Sequence, residues 1–229
     1  MTALLDTTVH HSVTDDEDPW GRRLSAAALV ALPVVTLAIL LLLPADADLR
    51  ATTTDHAEKA LAATVAHRDG VWIGFLLIGA LYFLVVPALQ SVLQVVTGRG
   101  RALVRVGAVL ASVGACALAV EDVIVGVSLR AATSPGLDHD SMVAYTVALQ
   151  KEHGPLAPMF WMMLPFIVGV VVMAVGMFRS PALRWWHAVL LPVAMIGIFG
   201  AQPGGSGFVA CALLAAFAAA MLTRSRQSA

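Results

Sequence analysis

Two carboxylates stand where a carboxylate is least expected. Glu121 and Asp122 are adjacent inside an apolar run, Ala119-Val120-Glu121-Asp122-Val123-Ile124-Val125, with no Lys or Arg within seven positions on either side. A charged side chain at the centre of a membrane helix costs about 2.5–3.5 kcal/mol on insertion scales. Residues kept there hold a structural hydrogen bond or do chemistry. At about 1.5 Å per residue from Val106, the pair falls in the outer third of a bilayer core about 30 Å thick. Helix neighbours sit about 100° apart and cannot share a face. Asp122 shares its face with Ala111, Ala115, Ala119 and Gly126, all small, and so points into a helix bundle. Glu121 shares a flank with Gly114, Leu118 and Val125 and reaches toward the outer side. Adjacent carboxylates repel when both are ionised, which makes the pair a candidate proton- or cation-binding site reached from outside. The alternative is an interior acid hydrogen-bonded to neighbouring backbone, holding its helix in register.

Other polar residues offer less. Gln90 and Gln94 lie one helical turn apart in an apolar run, a spacing that usually faces another helix and hydrogen-bonds across it; lining a substrate path is the other reading. His56 and His67 fall in one inter-span loop, His139 and His153 in another, the latter two beside Asp138, Asp140 and Glu152. Imidazoles and carboxylates together can bind zinc, nickel or copper, so these four histidines are metal candidates by residue type, without a diagnostic short spacing. Met159, Met162 and Met163 form a stripe that suits Cu(I) or flexible packing. His187 follows Trp185-Trp186 and reads as an interfacial anchor. Cys116 and Cys211 fall in apolar runs as small core residues, outside any disulfide or metal framework. No phosphate-binding loop, nucleophile elbow or His-Glu-x-x-His is present, so no catalytic residue is assigned and no cofactor is called for.

The elements that must position these residues are membrane helices. Of 229 residues, 59% are hydrophobic and 13% charged, against about 25% charged in soluble domains. The net charge of −1 gives no basic surface for nucleic acid. Six apolar runs occupy about 24–43, 71–96, 102–129, 155–178, 185–201 and 205–223. Alternate connecting segments carry nine Lys or Arg on one side and five on the other. By the positive-inside rule both ends are then cytoplasmic. The tryptophans agree independently: Trp20, Trp72, Trp161, Trp185 and Trp186 all fall at run ends, where the amphipathic indole is favoured. Ala45-Asp46-Ala47 imitates a signal-peptidase site, but the preceding run of near 20 residues exceeds a secretory core of about 7–15.

The predicted fold is all-α: a polytopic membrane protein of six transmembrane helices with two short outer-face helices. Residues 1–19, with acidic Asp15-Asp16-Glu17-Asp18, read as a disordered cytoplasmic tail, 20–224 as the membrane domain and 225–229 as a short cytoplasmic tail. The first outer helix is predicted over 55–67, with a capping box of Asp55 and Glu58, an apolar face of Ala57, Leu61 and Val65, and an end at Asp69-Gly70. The second is predicted over 141–152, after a turn at Ser134-Pro135-Gly136.

The pattern resembles the uncharacterised six-span integral membrane proteins of high-GC bacteria. The resemblance is carried by the Ala/Val/Leu/Gly-rich spans, by Gly98-Arg99-Gly100-Arg101-Ala102-Leu103 leading into Val106-Gly107-Ala108-Val109-Leu110, and by His153-Gly154-Pro155 opening the fourth span. It implies a bacterial cytoplasmic-membrane location and brings no activity or functional residues with it. The functional expectation is a non-enzymatic accessory or regulatory membrane protein acting through helix contacts. Its partners are the lipid bilayer and a membrane-protein partner, or a homo-oligomer formed through small-residue helix faces. The alternative is a small permease or proton/cation-coupled transporter using Glu121 and Asp122. Topology is directly checkable: reporters active only outside should work when fused after Thr53 or Asp138 and fail at Arg99 or Ala229. A silent fusion at Asp138 breaks the arrangement with both ends inside.

Overall fold

The computed structural model describes residues 19–43, 53–151, 154–199 and 205–227. The acidic tail, the Ala45-Asp46-Ala47 segment, Glu152, His153 and residues 200–204 lie outside the described residues. The described residues form helices and no strands: α1 (Pro19–Leu42), α2 (Thr54–Ala66), α3 (Arg68–Val95), α4 (Arg101–Ala132), α5 (His139–Gln150), α6 (Ala157–Trp161), α7 (Met163–Phe178), α8 (Trp185–Phe199) and α9 (Gly205–Gln227). Among the described residues, five stretches are long and apolar enough to cross a membrane: Trp20–Leu42, Arg68–Val95, Gly98–Ala132, Ala157–Phe178 and Gly207–Arg224. The protein is thus an all-α polytopic membrane protein. The fifth apolar run appears as α8, whose 15 described residues extend about 22 Å, short of a core of about 30 Å.

Consecutive spans pack on one another, α1 on α3, α3 on α4, α4 on α7, α7 on α8 and α8 on α9, and α9 returns to α1 to close a ring. At that closure Cys211 Sγ donates to the Pro33 carbonyl at 3.2 Å. The faces of α4 and α7 turned away from the ring are apolar: Val109, Val113 and Val120 on α4, and Leu164, Val168 and Val171 on α7, are exposed, as lipid contact demands.

The α4–α7 contact is the closest. These helices run antiparallel, and glycines recur every seven residues on both, Gly100, Gly107 and Gly114 against Gly169 and Gly176. A Cβ placed at Gly107 would fall 2.5 Å from the Gly169 carbonyl oxygen and 2.7 Å from the Met173 nitrogen. One placed at Gly169 would fall 2.6 Å from the Gly107 carbonyl oxygen, and one at Gly114 2.6 Å from the Phe166 nitrogen. These obstacles are backbone, which cannot swing aside. In lipid the hydrophobic effect does not draw helices together, so close van der Waals approach must, and only glycine permits it. One end of the seam is tied by the turn between α3 and α4. Gly98 there takes φ +70°, a left-handed conformation that L side chains rarely adopt, and the Thr97 N–H donates to Ser180 Oγ at 3.3 Å. The small-residue faces of α4 and α7 are therefore occupied within one chain.

The short helices depart from expectation in their ends and their faces. Thr53, not Asp55, caps α2: its backbone is extended and its hydroxyl accepts from the His56 N–H at 3.3 Å. The residue three positions on is a histidine, so the reciprocal capping box is absent. The helix ends at Ala66, and Asp69-Gly70 lies in the first turn of α3. There the carboxylate complements the helix dipole, and a Cβ on Gly70 would crowd the Leu42 carbonyl oxygen at 3.0 Å. The buried stripe of α2 is Ala57, Ala60, Leu61 and Thr64, while Val65 is exposed. The second outer helix starts two residues early, at His139, and buries Val143, Thr146 and Val147. The two short helices pack against each other and against α4. The fourth span breaks at Met162 because Pro165 has no N–H for the Trp161 carbonyl; the Met162 N–H donates instead to Met159 at 3.0 Å.

The seam makes a quantitative expectation. Gly107→Ala or Gly169→Ala should lose about 1–3 kcal/mol by overpacking. Val109→Ala, on the lipid side, should stay within about 0.5 kcal/mol. Unfolding titrations in mixed micelles compare them, and equal midpoints would show that the helices can separate freely.

Candidate functional site

The carboxylate pair inherits its position from α4, a helix of 32 residues, about 48 Å long and so longer than the bilayer core. Arg101 and Arg105 lie in its first turns and Arg130 in its last. Glu121 and Asp122 are both half-buried, and both are engaged within the fold. The small-residue face of Asp122 is buried as its composition demands: Ala111, Ala115 and Ala119 have no exposure. Toward the outer side this face meets α3. A Cβ at Gly126 would fall 2.5 Å from Phe75 Cβ, and one at Gly79 3.2 Å from the Ala119 carbonyl oxygen. Glu121 stands seven residues beyond Gly114 and continues the register of the seam. By that antiparallel register it lies opposite the turn before α6, where the chain has left α7. Glu121 thus lies past the last glycine of the α4–α7 contact, whereas Asp122 lies within the α3–α4 contact, between Ala119 and Gly126.

Their inner boundary was not legible in the sequence. Tyr82 of α3 is buried and meets Phe166 of α7 edge-on, with ring centroids 6.4 Å apart and planes at 86°. Phe166 also covers Gly114. Tyr82 is thirty-two positions from Gly114 and eighty-four from Phe166, and no local spacing signals such a meeting. Farther out, Arg130 approaches Asp69 at 3.6 Å and lies 5.5 Å over the Trp72 ring. Asp69 is largely exposed, so the ion pair contributes little, about 0–1 kcal/mol. The stacking adds about 0.5–1 kcal/mol. The cluster ties the outer ends of α3 and α4. Arg130 is eight residues beyond Asp122, about 12 Å along the axis, too far for a direct ion pair with it.

Gln90 and Gln94 depart from expectation. Both are exposed on α3, and among the described residues no helix covers them; α3 packs mainly on α1 and α4 through its other flanks. The histidines do not assemble a centre that the described residues show. His67 caps the end of α2, His56 lies in its first turn and His139 opens α5. Among the described residues no three His, Cys, Asp or Glu side chains group to hold a metal ion. Asp138 is engaged in capping, accepting from the Ser141 N–H at 2.9 Å and from its hydroxyl at 2.7 Å. His187 anchors the inner end of α8: it is buried, stacks on Trp186 at 3.6 Å between centroids, and has Nδ1 3.1 Å from the Arg184 carbonyl.

No family model, curated protein or solved structure matches this chain.

The Asp138 cap gives a pH dependence with a definite sign. The Ser141 hydroxyl and then the Ser141 N–H hold its carboxyl below the usual aspartate range. A depressed folded-state pKa stabilises at pH above the unfolded value, and the contribution is lost as pH falls through the folded one. Amide protection at Ser141, corrected for intrinsic exchange, should decline as pH drops through the aspartate range and below. Asp138→Asn should flatten that profile, and an unchanged profile would remove the cap from the account.

Proposed function

We propose that this chain is a six-span protein of the bacterial cytoplasmic membrane, with both ends in the cytoplasm, and that it serves a non-enzymatic accessory or regulatory role through helix contacts. The nine-to-five distribution of positive charge supports the orientation. One observation carries the role: hydroxyls in the spans are turned back on their own helices. Ser25 donates to the Gly21 carbonyl at 2.8 Å, Thr36 to Leu32 at 2.9 Å and Ser91 to Ala88 at 2.6 Å. Hydroxyls satisfied in this way present no continuous polar route. The seam inward of Glu121 is closed by backbone contact at Gly114, Gly107 and Gly100. Tight helix packing and locally satisfied hydroxyls support a role in holding a shape against another membrane component.

The second reading, a permease coupled to protons or cations through Glu121 and Asp122, draws on the half-buried carboxylates and their placement in the outer third of α4. Proteoliposomes carrying a pH-sensitive dye separate the two. The accessory role predicts proton flux no greater than empty vesicles under an imposed gradient, and an infrared carboxyl band indifferent to outside pH. A flux abolished by Asp122→Asn in a chain that still folds would overturn it in favour of transport. In either case Asp122→Leu should destabilise more than Glu121→Gln, because an interior partner then loses its hydrogen bond.

A further inference from the structure

The face of α3 turned away from the ring is unlike the other lipid-facing surfaces. Ile73, Leu76, Ala80, Phe83, Gln90 and Gln94 are exposed. With half-buried Pro87 they recur in alternating steps of three and four residues. This is the seam spacing of a left-handed helix pair. The exposed faces of α4 and α7 carry Val, Leu and Ile at corresponding positions, whereas α3 carries two amides. The chain has five glutamines and no asparagine, so amides are scarce and two of them stand together here. Gln90 is 18 residues from Trp72, about 27 Å along the axis, within a core of about 30 Å. An amide facing hydrocarbon with no partner is unfavourable. The contact faces of α3 are taken by α1 and α4, with smaller contacts to α9 and α2, and the residues of the stripe stay exposed among the described residues.

We propose that a second copy of this chain covers the stripe, giving a homodimer with the two α3 helices parallel about a two-fold axis along the membrane normal. All copies insert in the same orientation, so such an axis brings each residue to its own symmetry mate at the same depth. The stripe suits that geometry. A glutamine amide has two N–H donors and a carbonyl acceptor, so an identical amide complements it, and Gln90 meets Gln90 as Gln94 meets Gln94. Ala80 leaves room for close approach midway along the stripe. Between Ile73 and Gln94 there is no charged residue to repel its copy. A foreign helix would need matching amides at both depths, whereas a second copy has them by identity. The pairing rests on α3 alone and holds or fails independently of the function proposed above.

Cysteine cross-linking and energy transfer in liposomes test it. With Cys116 and Cys211 replaced by alanine, Ala80→Cys should oxidise to a covalent dimer, whereas Val113→Cys on the exposed face of α4 should stay monomeric. In labelled chains without the added cysteine, Gln90→Leu with Gln94→Leu should weaken association about 3- to 20-fold, the range expected for losing interhelical hydrogen bonds. Both positions are exposed, so helical content and monodispersity should be unchanged, confirming that the variants fold. A chain that stays monomeric at every protein-to-lipid ratio overturns the proposal. So does equal cross-linking at both cysteines, an assembly larger than a dimer, or association indifferent to the glutamines.

Discussion

The structure depends on the approach of α4 to α7. Two polypeptide backbones meet there without side chains between them, at Gly107 against Gly169 and at Gly100 against Gly176. In water such a contact would be one among many. In a bilayer the tails of the lipids are as apolar as leucine, so a helix pair is held by the density of its atomic contacts. With that pair fixed, α3 is set by Gly79 and Gly126 against the other side of α4. The remaining spans follow in order around the ring until α9 meets α1.

The seam also decides what the carboxylates can do. Glu121 takes the register position that glycine holds at 100, 107 and 114, where the two backbones have parted enough for a side chain. Asp122 stands beside the alanines that face α3. Inward of them, Tyr82 and Phe166 fill the space among α3, α4 and α7. The acids therefore lie beyond this aromatic contact, toward the end of the bundle that carries α2 and α5. The short helices pack on that same side, joined to each other and to α4. Arg130, Asp69 and Trp72 hold the outer ends of α3 and α4 together.

Proline and hydroxyl side chains shape the spans within this frame. Pro165 interrupts the hydrogen-bond ladder and divides the fourth span, and the break at Met162 lies against Gly114, at the outer end of the seam. Thr36, Ser91 and Ser25 donate to carbonyls three or four residues back, which removes them from any conversation between helices. These locally satisfied hydroxyls contrast with the half-buried carboxylates of α4 and the two exposed amides of α3 on the outside of the ring.

The sequence by itself determined the class of the protein: long apolar runs, sparse charge and tryptophans at run ends are consequences of the solvent, and the bilayer acts on every residue of a span alike. It also marked the buried face of α4, since the alanines and glycines spaced around Asp122 can serve only close packing. Tertiary structure decided which neighbour each face meets. Helical period says that Gln90 and Gln94 share a face, but not whether that face looks inward; the positions of α1 and α4 settled that it looks outward. The same holds for Val65, which the period alone set beside Leu61 and which lies at the exposed edge once α2 docks. The cap at Thr53 was decided by the chain's turn into α2, because Thr53 and Asp55 both have a cap-forming side chain and only one backbone is extended there. The Tyr82–Phe166 contact depended on the distance between α3 and α7, which is set by glycines on a third helix and is written in no local pattern.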